Sequence, residues 1–335
     1  MNVLLTGGTG YIGSHTAVVL TNAGHRVTLF DNLCNSQRDL VSRLEEITGQ
    51  AMDFVEGDVR DTALLSSTFK QYNIDAVIHF AGLKAVGDSV AHPLDYFATN
   101  VQGSISLLQA MQANEIKTLV FSSSATVYGE PQYLPYDEAH PTNAINPYGR
   151  SKLHVEEMLS DLAASDPTWS IAVLRYFNPV GAHDSALIGE LPTGVPNNLM
   201  PYLVQVASGR QDVLRVFGSD YDTCDGTGER DYIHVIDLAE GHMAALNFLA
   251  DNTGWHAVNL GTGSATSVLA LVHTFESVTG KTIPVNMVGR RPGDLPAYYA
   301  NPAKAQTLLG WCAKRSVEEM CVSAWRWEEG CTDAN

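Results

Sequence analysis

Through the first half of the chain, short apolar runs alternate with longer stretches whose apolar positions recur at helical spacing. Val3-Leu4-Leu5, Val27-Thr28-Leu29-Phe30, Asp53-Phe54-Val55, Ala76-Val77-Ile78-His79-Phe80 and Leu119-Val120-Phe121 read as strands, and Ile171-Ala172-Val173-Leu174 extends the series. Between them, Thr16 to Asn22 and Ile105 to Ala113 carry the period of helices. Repeated strand–helix alternation predicts an α/β protein with a parallel sheet covered by helices on both faces. The texture changes after about Asn178. Pro179, Gly181, Gly189, Pro192, Gly194, Pro196 and Pro201 punctuate the chain, and loops such as 219–228 and 289–296 separate short helical pieces. Residues 1–178 are expected to form the sheet domain. Residues 179–335 are expected to form a smaller mixed α/β domain capping the mouth of the sheet, with segments exchanged between the two.

Composition narrows the class. At ~150 residues per domain, 335 residues fit two domains. With 45% hydrophobic and 17% charged residues the chain is too apolar to be disordered. Twenty basic against 37 acidic side chains leave a net charge of −17, which argues against nucleic-acid backbones and anionic membranes as partners. A few arginines in one cleft can still hold an anionic small molecule. No apolar run approaches the ~20 residues of a membrane span, and the start MNVLLTGGTGYIGSH lacks the basic region of a secretory signal. The five cysteines show no CxxC pair and no zinc-ligand spacing, so no metal is expected, and the simplest reading is free thiols in the cytoplasm.

Gly7-Gly8-Thr9-Gly10-Tyr11-Ile12-Gly13 follows the first strand and opens the first helix, reading both as GxGxxG and as GxxGxxG. Glycines there let the backbone approach a pyrophosphate, and the helix start offers free N–H groups. Asp31 closes the second strand about 20 residues on, where a carboxylate receives ribose hydroxyls and repels a 2′-phosphate. The sheet is thus a doubly wound, Rossmann-type sheet, and the expected cofactor is NAD. Asp58, after the third strand, is placed for an adenine contact; by itself it reads as a helix cap.

Tyr148 and Lys152 stand at i and i+4 on a helix that Asn146-Pro147 starts. A tyrosine of pKa near 10 is a poor base. One nearby ammonium, joined by an oxidised nicotinamide, favours the phenolate; a drop of about three units corresponds to ~4 kcal/mol. Ser124 ends the fifth strand, where open α/β sheets bind ligands, and it can pass a substrate proton to Tyr148. There is no GxSxG elbow and no HExxH motif.

These residues resemble the extended short-chain dehydrogenase/reductase family. Closer matches run from residue 6 to 298 and resemble its UDP-glucose 4-epimerase branch: Thr6 to His15, Asp31 to Ser36, His79 to Val86, Ser122 to Gly129, Leu174 to Ala182, Pro196 to Pro201, Asp225 to His234 and Gly293 to Tyr298. The resemblance implies that Gly7, Gly10, Tyr11, Ile12, Gly13, Asp31, Asn32, Asn35, Ser36, Asp58, Val59, Phe80, Ala81, Lys84 and Asn100 line an NAD site, with Tyr148, Lys152 and Tyr176 beside the nicotinamide. It makes Tyr148 the base, with Ser124 and Lys152 assisting, and sets Phe177 and Asn178 against the sugar. Asn198, Leu199, Phe217, Arg230, Arg291, Asp294 and Tyr298 complete the nucleotide-sugar site. Thr99 departs from the asparagine that some members carry, and Arg215 has no assigned side-chain role.

The implied reaction interconverts UDP-galactose and UDP-glucose by transient oxidation of C4 to a 4-keto sugar and return of hydride to the other face. Tyr298, against the hexose 2-substituent, implies poor activity on UDP-N-acetylglucosamine. A homodimer is implied, with helical stretches around Leu94 to Ala113 and Tyr148 to Leu162 as its shared bundle. The rival readings are another nucleotide-sugar epimerase, a 4,6-dehydratase, and a non-catalytic NAD-binding sensor. The dehydratase needs an Asp-Glu pair after the catalytic Ser/Thr, and Ala125-Thr126 stand there instead. The sensor reading is opposed by the presence of Tyr148, Lys152 and Ser124 together.

Overall fold

The computed structural model describes residues 1–335 except 193, 195, 197, 292, 334 and 335. Its main sheet contains strands β1 (Asn2–Thr6), β2 (Arg26–Asp31), β3 (Asp53–Glu56), β4 (Ala76–His79), β5 (Thr118–Ser124) and β6 (Ser170–Tyr176), joined by a seventh strand, Gly254–Leu260. All neighbours are parallel, and the spatial order is Gly254–Leu260, β6, β5, β4, β1, β2, β3. The apolar runs alternate faces with period two, so adjacent residues enter opposite cores. Val3 and Leu5 join Ala17, Leu29, Ile78 and Leu174 on one side, while Leu4 joins Phe30, Val77, Phe121 and Leu159 on the other. Burial on both faces explains why these strands read as continuous apolar runs.

The strand order reverses between β1 and β4, which opens a crevice at their carboxyl ends. Phe80, expected inside the fourth strand, lies just past it. Both its N–H and that of Ala81 donate to the Thr6 carbonyl at 2.9 and 3.0 Å, which turns the chain out of the ladder.

The chain beyond 178 contributes to this sheet. Gly254–Leu260 pairs along the whole of β6, from Gly254 opposite Ser170 to Leu260 opposite Tyr176. The helix Val235–Leu249 places Leu238 and Leu246 in the same core layer as Ala17 and Leu20 of the first helix, Tyr11–Asn22. A separate core, with Leu203, Val216, Leu271, Phe275 and Met320, unites the helices Leu199–Ala207, Val268–Thr279 and Val317–Asp333 with the parallel pair Leu214–Phe217 and Val285–Val288. Over the mouth of the large sheet, Glu229–Arg230 pairs with Thr266–Ser267 and with Ala297–Tyr298. Among the described residues no helix is long and apolar enough to cross a membrane.

Candidate active site

The glycine turn is tight enough to require its residues. A Cβ on Gly13 would lie 2.3 Å from the Gly7 carbonyl oxygen, and one on Gly7 would lie 2.7 Å from the Ala81 nitrogen. Gly7 also sits at φ +68°, where a side chain is strained. Gly10 caps the first helix without any side-chain hydrogen bond, and no acidic residue occupies its first turn. The leading N–H groups are therefore open to an anion, as a pyrophosphate site requires. Asp31 closes β2 beside this turn. Its carboxylate accepts from the Thr9 and Leu33 backbone N–H groups at 3.2 and 2.9 Å and from the Ser36 hydroxyl at 3.3 Å. Asp58 does not cap the following helix; Asp61 does, accepting from Leu64 N. Asp58 instead receives Arg60 in a forked pair and the Asn32 amide, and the Arg60 guanidinium holds it down to about 2.

The other cofactor candidates divide by what their side chains do. Val59 is buried in the core, so only its backbone is available to a ligand. Asn100 lies in a wide helical turn, Phe97–Gln102, and its amide is committed to both backbone groups of Leu83 and to Ser151. It braces the loop that carries Lys84. The Lys84 ammonium pairs with Glu190 at 2.9 Å, and the Asn198 amide reaches the same carboxylate at 3.4 Å. Glu190, absent from the sequence-based candidates, thus joins a cofactor candidate to a substrate candidate.

Tyr148 and Lys152 stand on the helix Pro147–Ser165, which starts as expected. The Asn146 side chain accepts from Gly149 N at 2.8 Å, and Pro147 fills the first turn. The helix lies against the end of β5, where the Ser124 hydroxyl is near enough to the Tyr148 phenol to favour its ionised form. Thr126 also donates to Ser124, through Oγ1 at 3.0 Å. The Lys152 ammonium donates to the Ser122 carbonyl at 2.8 Å and lies over the Phe121 ring at 5.0 Å. Burial lowers it to about 8, opposed by the Glu156 charge. For Tyr148, burial prevails over the Ser124 hydrogen bond and raises the phenol above its ordinary value. Forming a phenolate there calls for positive charge close to the ring. Tyr176 closes this side, its hydroxyl 2.5 Å from that of Ser122.

Behind the helix Pro147–Ser165 lies a buried network that sequence reasoning missed. Glu156, one turn beyond Lys152, pairs with Arg175 of β6 at 2.6 Å and accepts from Ser123 Oγ at 2.5 Å. Arg175 also donates to the Tyr128 hydroxyl, which donates to Asn259 at 2.7 Å. The i, i+4, i+8 series Tyr148, Lys152, Glu156 was the available signal.

Across the crevice, Phe177 and Tyr298 have ring centroids 5.0 Å apart, and Tyr298 meets Tyr136 edge-on at 5.3 Å. The Asn178 Oδ1 and Tyr298 hydroxyl are buried with no partner among the described residues. Farther out, Arg291 pairs with Asp294 at 3.0 Å and covers the exposed Phe217 ring at 5.5 Å, while Arg230 approaches the same carboxylate at 3.9 Å. Two guanidinium groups and an open aromatic face suit a nucleotide diphosphate. Leu199 packs into the third core, and its neighbour Asn198 forms the helix cap.

A family model described as GDP-mannose 4,6 dehydratase matches residues 4–324. The human UDP-glucose 4-epimerase is 55% identical over 334 residues, covering 98% of this chain and 96% of the relative. The Bacillus subtilis UDP-glucose 4-epimerase is 54% identical over 328 residues, covering 98% and 97%. This chain belongs to the UDP-glucose 4-epimerase family. The likeness extends to three dimensions. A solved epimerase from Stenotrophomonas maltophila, described with bound NAD and formylated UDP-arabinopyranose, is 51% identical, covers 100% of both chains and has a TM-score of 0.99. The Bifidobacterium longum epimerase, described in complex with NAD+ and UDP, is 48% identical with a TM-score of 0.96 and again covers 100% of both chains. The dehydratase in the broader family description does not carry over to the chemistry here. After Ser124 come Ala125 and Thr126, neither of which exchanges a proton at neutral pH, as this epimerase-family site requires no second acid–base pair.

Proposed function

We propose that this chain is an NAD-dependent isomerase that interconverts UDP-galactose and UDP-glucose. The observation that carries the reading is the convergence of Ser124, Tyr148 and Lys152 at the carboxyl end of β5, beside a glycine turn that fits a pyrophosphate. Bound NAD supplies reversible hydride acceptance at the sugar C4. Gly7, Gly10, Tyr11, Ile12 and Gly13 present the phosphate turn, and Asp31, Asn32, Asn35 and Ser36 take the adenosine ribose. Asp58, Val59, Phe80, Ala81, Lys84 and Asn100 form the remaining wall, Val59 through its backbone and Asn100 through the loop it braces. Ser124 bridges the 4-hydroxyl to Tyr148, which takes the proton and later returns it. Lys152 holds positive charge near the phenol, and Tyr176 flanks the ring opposite. Asn178, with its unpaired carbonyl oxygen, and Phe177 face the hexose. Arg230 and Arg291 grip the diphosphate, Asp294 orients the two guanidinium groups, and Asn198, Leu199 and Phe217 enclose the nucleoside while the sugar turns.

In this proposal residues 1–178, completed by the strand Gly254–Leu260, form the cofactor half, and the remainder forms the substrate half. The chain works in the cytoplasm as a homodimer. Val90 and Leu94, 64% and 79% exposed, form an apolar surface suited to a second copy.

Because the hydride returns in every cycle, the purified protein is expected to retain NAD and to need none added. Heat-released NAD, assayed enzymatically after dialysis, is expected near one per chain. Protein that is inactive until NAD is supplied would contradict tight retention.

Wild type is expected to epimerise UDP-N-acetylglucosamine poorly, because Tyr298 is packed between Phe177 and Tyr136 and cannot yield an acetamido group's volume cheaply. Overpacking costs of ~1–3 kcal/mol correspond to roughly 5- to 150-fold in rate. Tyr298→Cys is expected to recover much of that factor on the N-acetyl sugar. Comparable wild-type rates on both sugars would show that Tyr298 is no gatekeeper.

A further inference from the structure

Asp231 is fully buried between Arg230 and the strand Tyr232–His234, and no cation among the described residues forms an ion pair with it. Its charge is instead spread over four donors. Oδ1 accepts from Thr262 N at 2.8 Å and Thr262 Oγ1 at 2.7 Å; Oδ2 accepts from Gly263 N and Ala300 N, both at 3.1 Å. The surroundings allow no more room, since a Cβ on Gly261 would lie 2.6 Å from Oδ2.

The segments this residue ties together are the two walls of the hexose pocket. Its N–H donates to the Tyr298 carbonyl at 3.1 Å, so with Ala300 N on its carboxylate it grips the chain at Tyr298 and two residues beyond it. Its own carbonyl accepts from Asn178 N at 3.0 Å. Tyr298 and Asn178 are pocket residues whose buried polar atoms lack a partner among the described residues. The diphosphate end is held otherwise, Arg230 Nη1 donating to the carbonyls of Glu229 and Leu295.

We propose that Asp231 is a positioning residue for the hexose: it touches no substrate, and it sets the separation of Asn178 and Tyr298 across the sugar. The inference rests on the nucleotide-sugar reading above. An Asp231→Asn amide turns an NH2 toward backbone donors on one side, so the wall loosens where Ala300 or Thr262 is released.

The test is calorimetric titration with UDP-galactose and with UDP, each in a Tyr148→Phe background so that the sugar does not react. Asp231→Asn is expected to weaken UDP-galactose about tenfold while UDP changes less than about twofold, since one or two hydrogen bonds to charge are lost at the hexose end only. Thr262→Val, which removes one donor and keeps the carboxylate, is expected to shift the same ratio in the same direction by about threefold. It decides the matter where Asp231→Asn fails to fold. The effect of Asp231→Asn is further expected to shrink in a Tyr298→Cys background, because coupled residues are not additive. Equal weakening of both ligands, or an unchanged ratio in Thr262→Val, overturns the positioning role and leaves the nucleotide-sugar reading intact. If the Tyr148→Phe protein with Asp231 intact binds neither ligand, that reading falls and the proposal falls with it.

Discussion

Tyr148→Phe is expected to lower turnover of UDP-galactose at least ~100-fold while leaving the fold and the bound NAD in place. The substitution removes one oxygen. The ring that remains still meets Tyr96 edge-on, at a centroid separation of 6.5 Å, so packing is kept. What is lost is the phenol beside the Ser124 hydroxyl, which among the described residues is the group placed to take a proton there. Lys152 cannot replace it, because its ammonium is engaged by the Ser122 carbonyl. A coupled assay of kcat, with NAD content measured on the same sample, checks the expectation. Turnover like that of wild type with NAD bound would remove Tyr148 from the role of base.

Glu156→Ala is expected to destabilise the protein by about 3–5 kcal/mol, because it leaves the Arg175 guanidinium charged in the interior with one phenol as partner. Arg175 is 5% and Glu156 2% exposed, so water cannot substitute for the missing carboxylate. Replacing both partners together with methionines is expected to cost far less than either single change, since the penalty belongs to the unpaired charge. Denaturant unfolding of the single and double variants measures the difference. A single variant within about 1 kcal/mol of wild type would mean that the site takes up water or relaxes.

Much of this organisation was legible in the chain because it rests on local rules. Alternation of Leu4 and Leu5 between two cores follows from strand geometry, and Gly7 to Gly13 follows from steric demands that no other residue meets. Asn146-Pro147 marked the start of the helix Pro147–Ser165 because both residues act within one turn. Features depending on distant partners were harder to read. The strand Gly254–Leu260 carries a mixed pattern, Trp255-His256-Ala257-Val258-Asn259, and its place beside β6 is fixed by a ladder across some eighty residues of sequence. Phe80 continues an apolar run, yet a competing pair of hydrogen bonds to Thr6 ends the strand before it. Asp231 and Glu190 read as ordinary acidic residues until the chain brings backbone donors to one and Lys84 with Asn198 to the other. Asp58 reads as a cap, but the helix starts at Thr62 with Asp61 at its cap position, and the Asp58 carboxylate pairs with Arg60.

Burial raises the Tyr148 phenol above its ordinary value, so its use as a base calls for positive charge brought close to it. Burial that excludes water from the reacting centre also penalises the phenolate, and the Lys152 ammonium is itself lowered to about 8 by the same burial. In the proposed reaction the oxidised cofactor would add positive charge that favours the phenolate.

The central claim is tested most directly by supplying UDP-galactose to the dialysed protein with no cofactor added and following the anomeric region by proton NMR. UDP-glucose is expected to accumulate to a fixed ratio with UDP-galactose, with no net oxidised or reduced product. A spectrum in which UDP-galactose persists unchanged, or in which a 4-keto-6-deoxy sugar appears instead, would contradict the account.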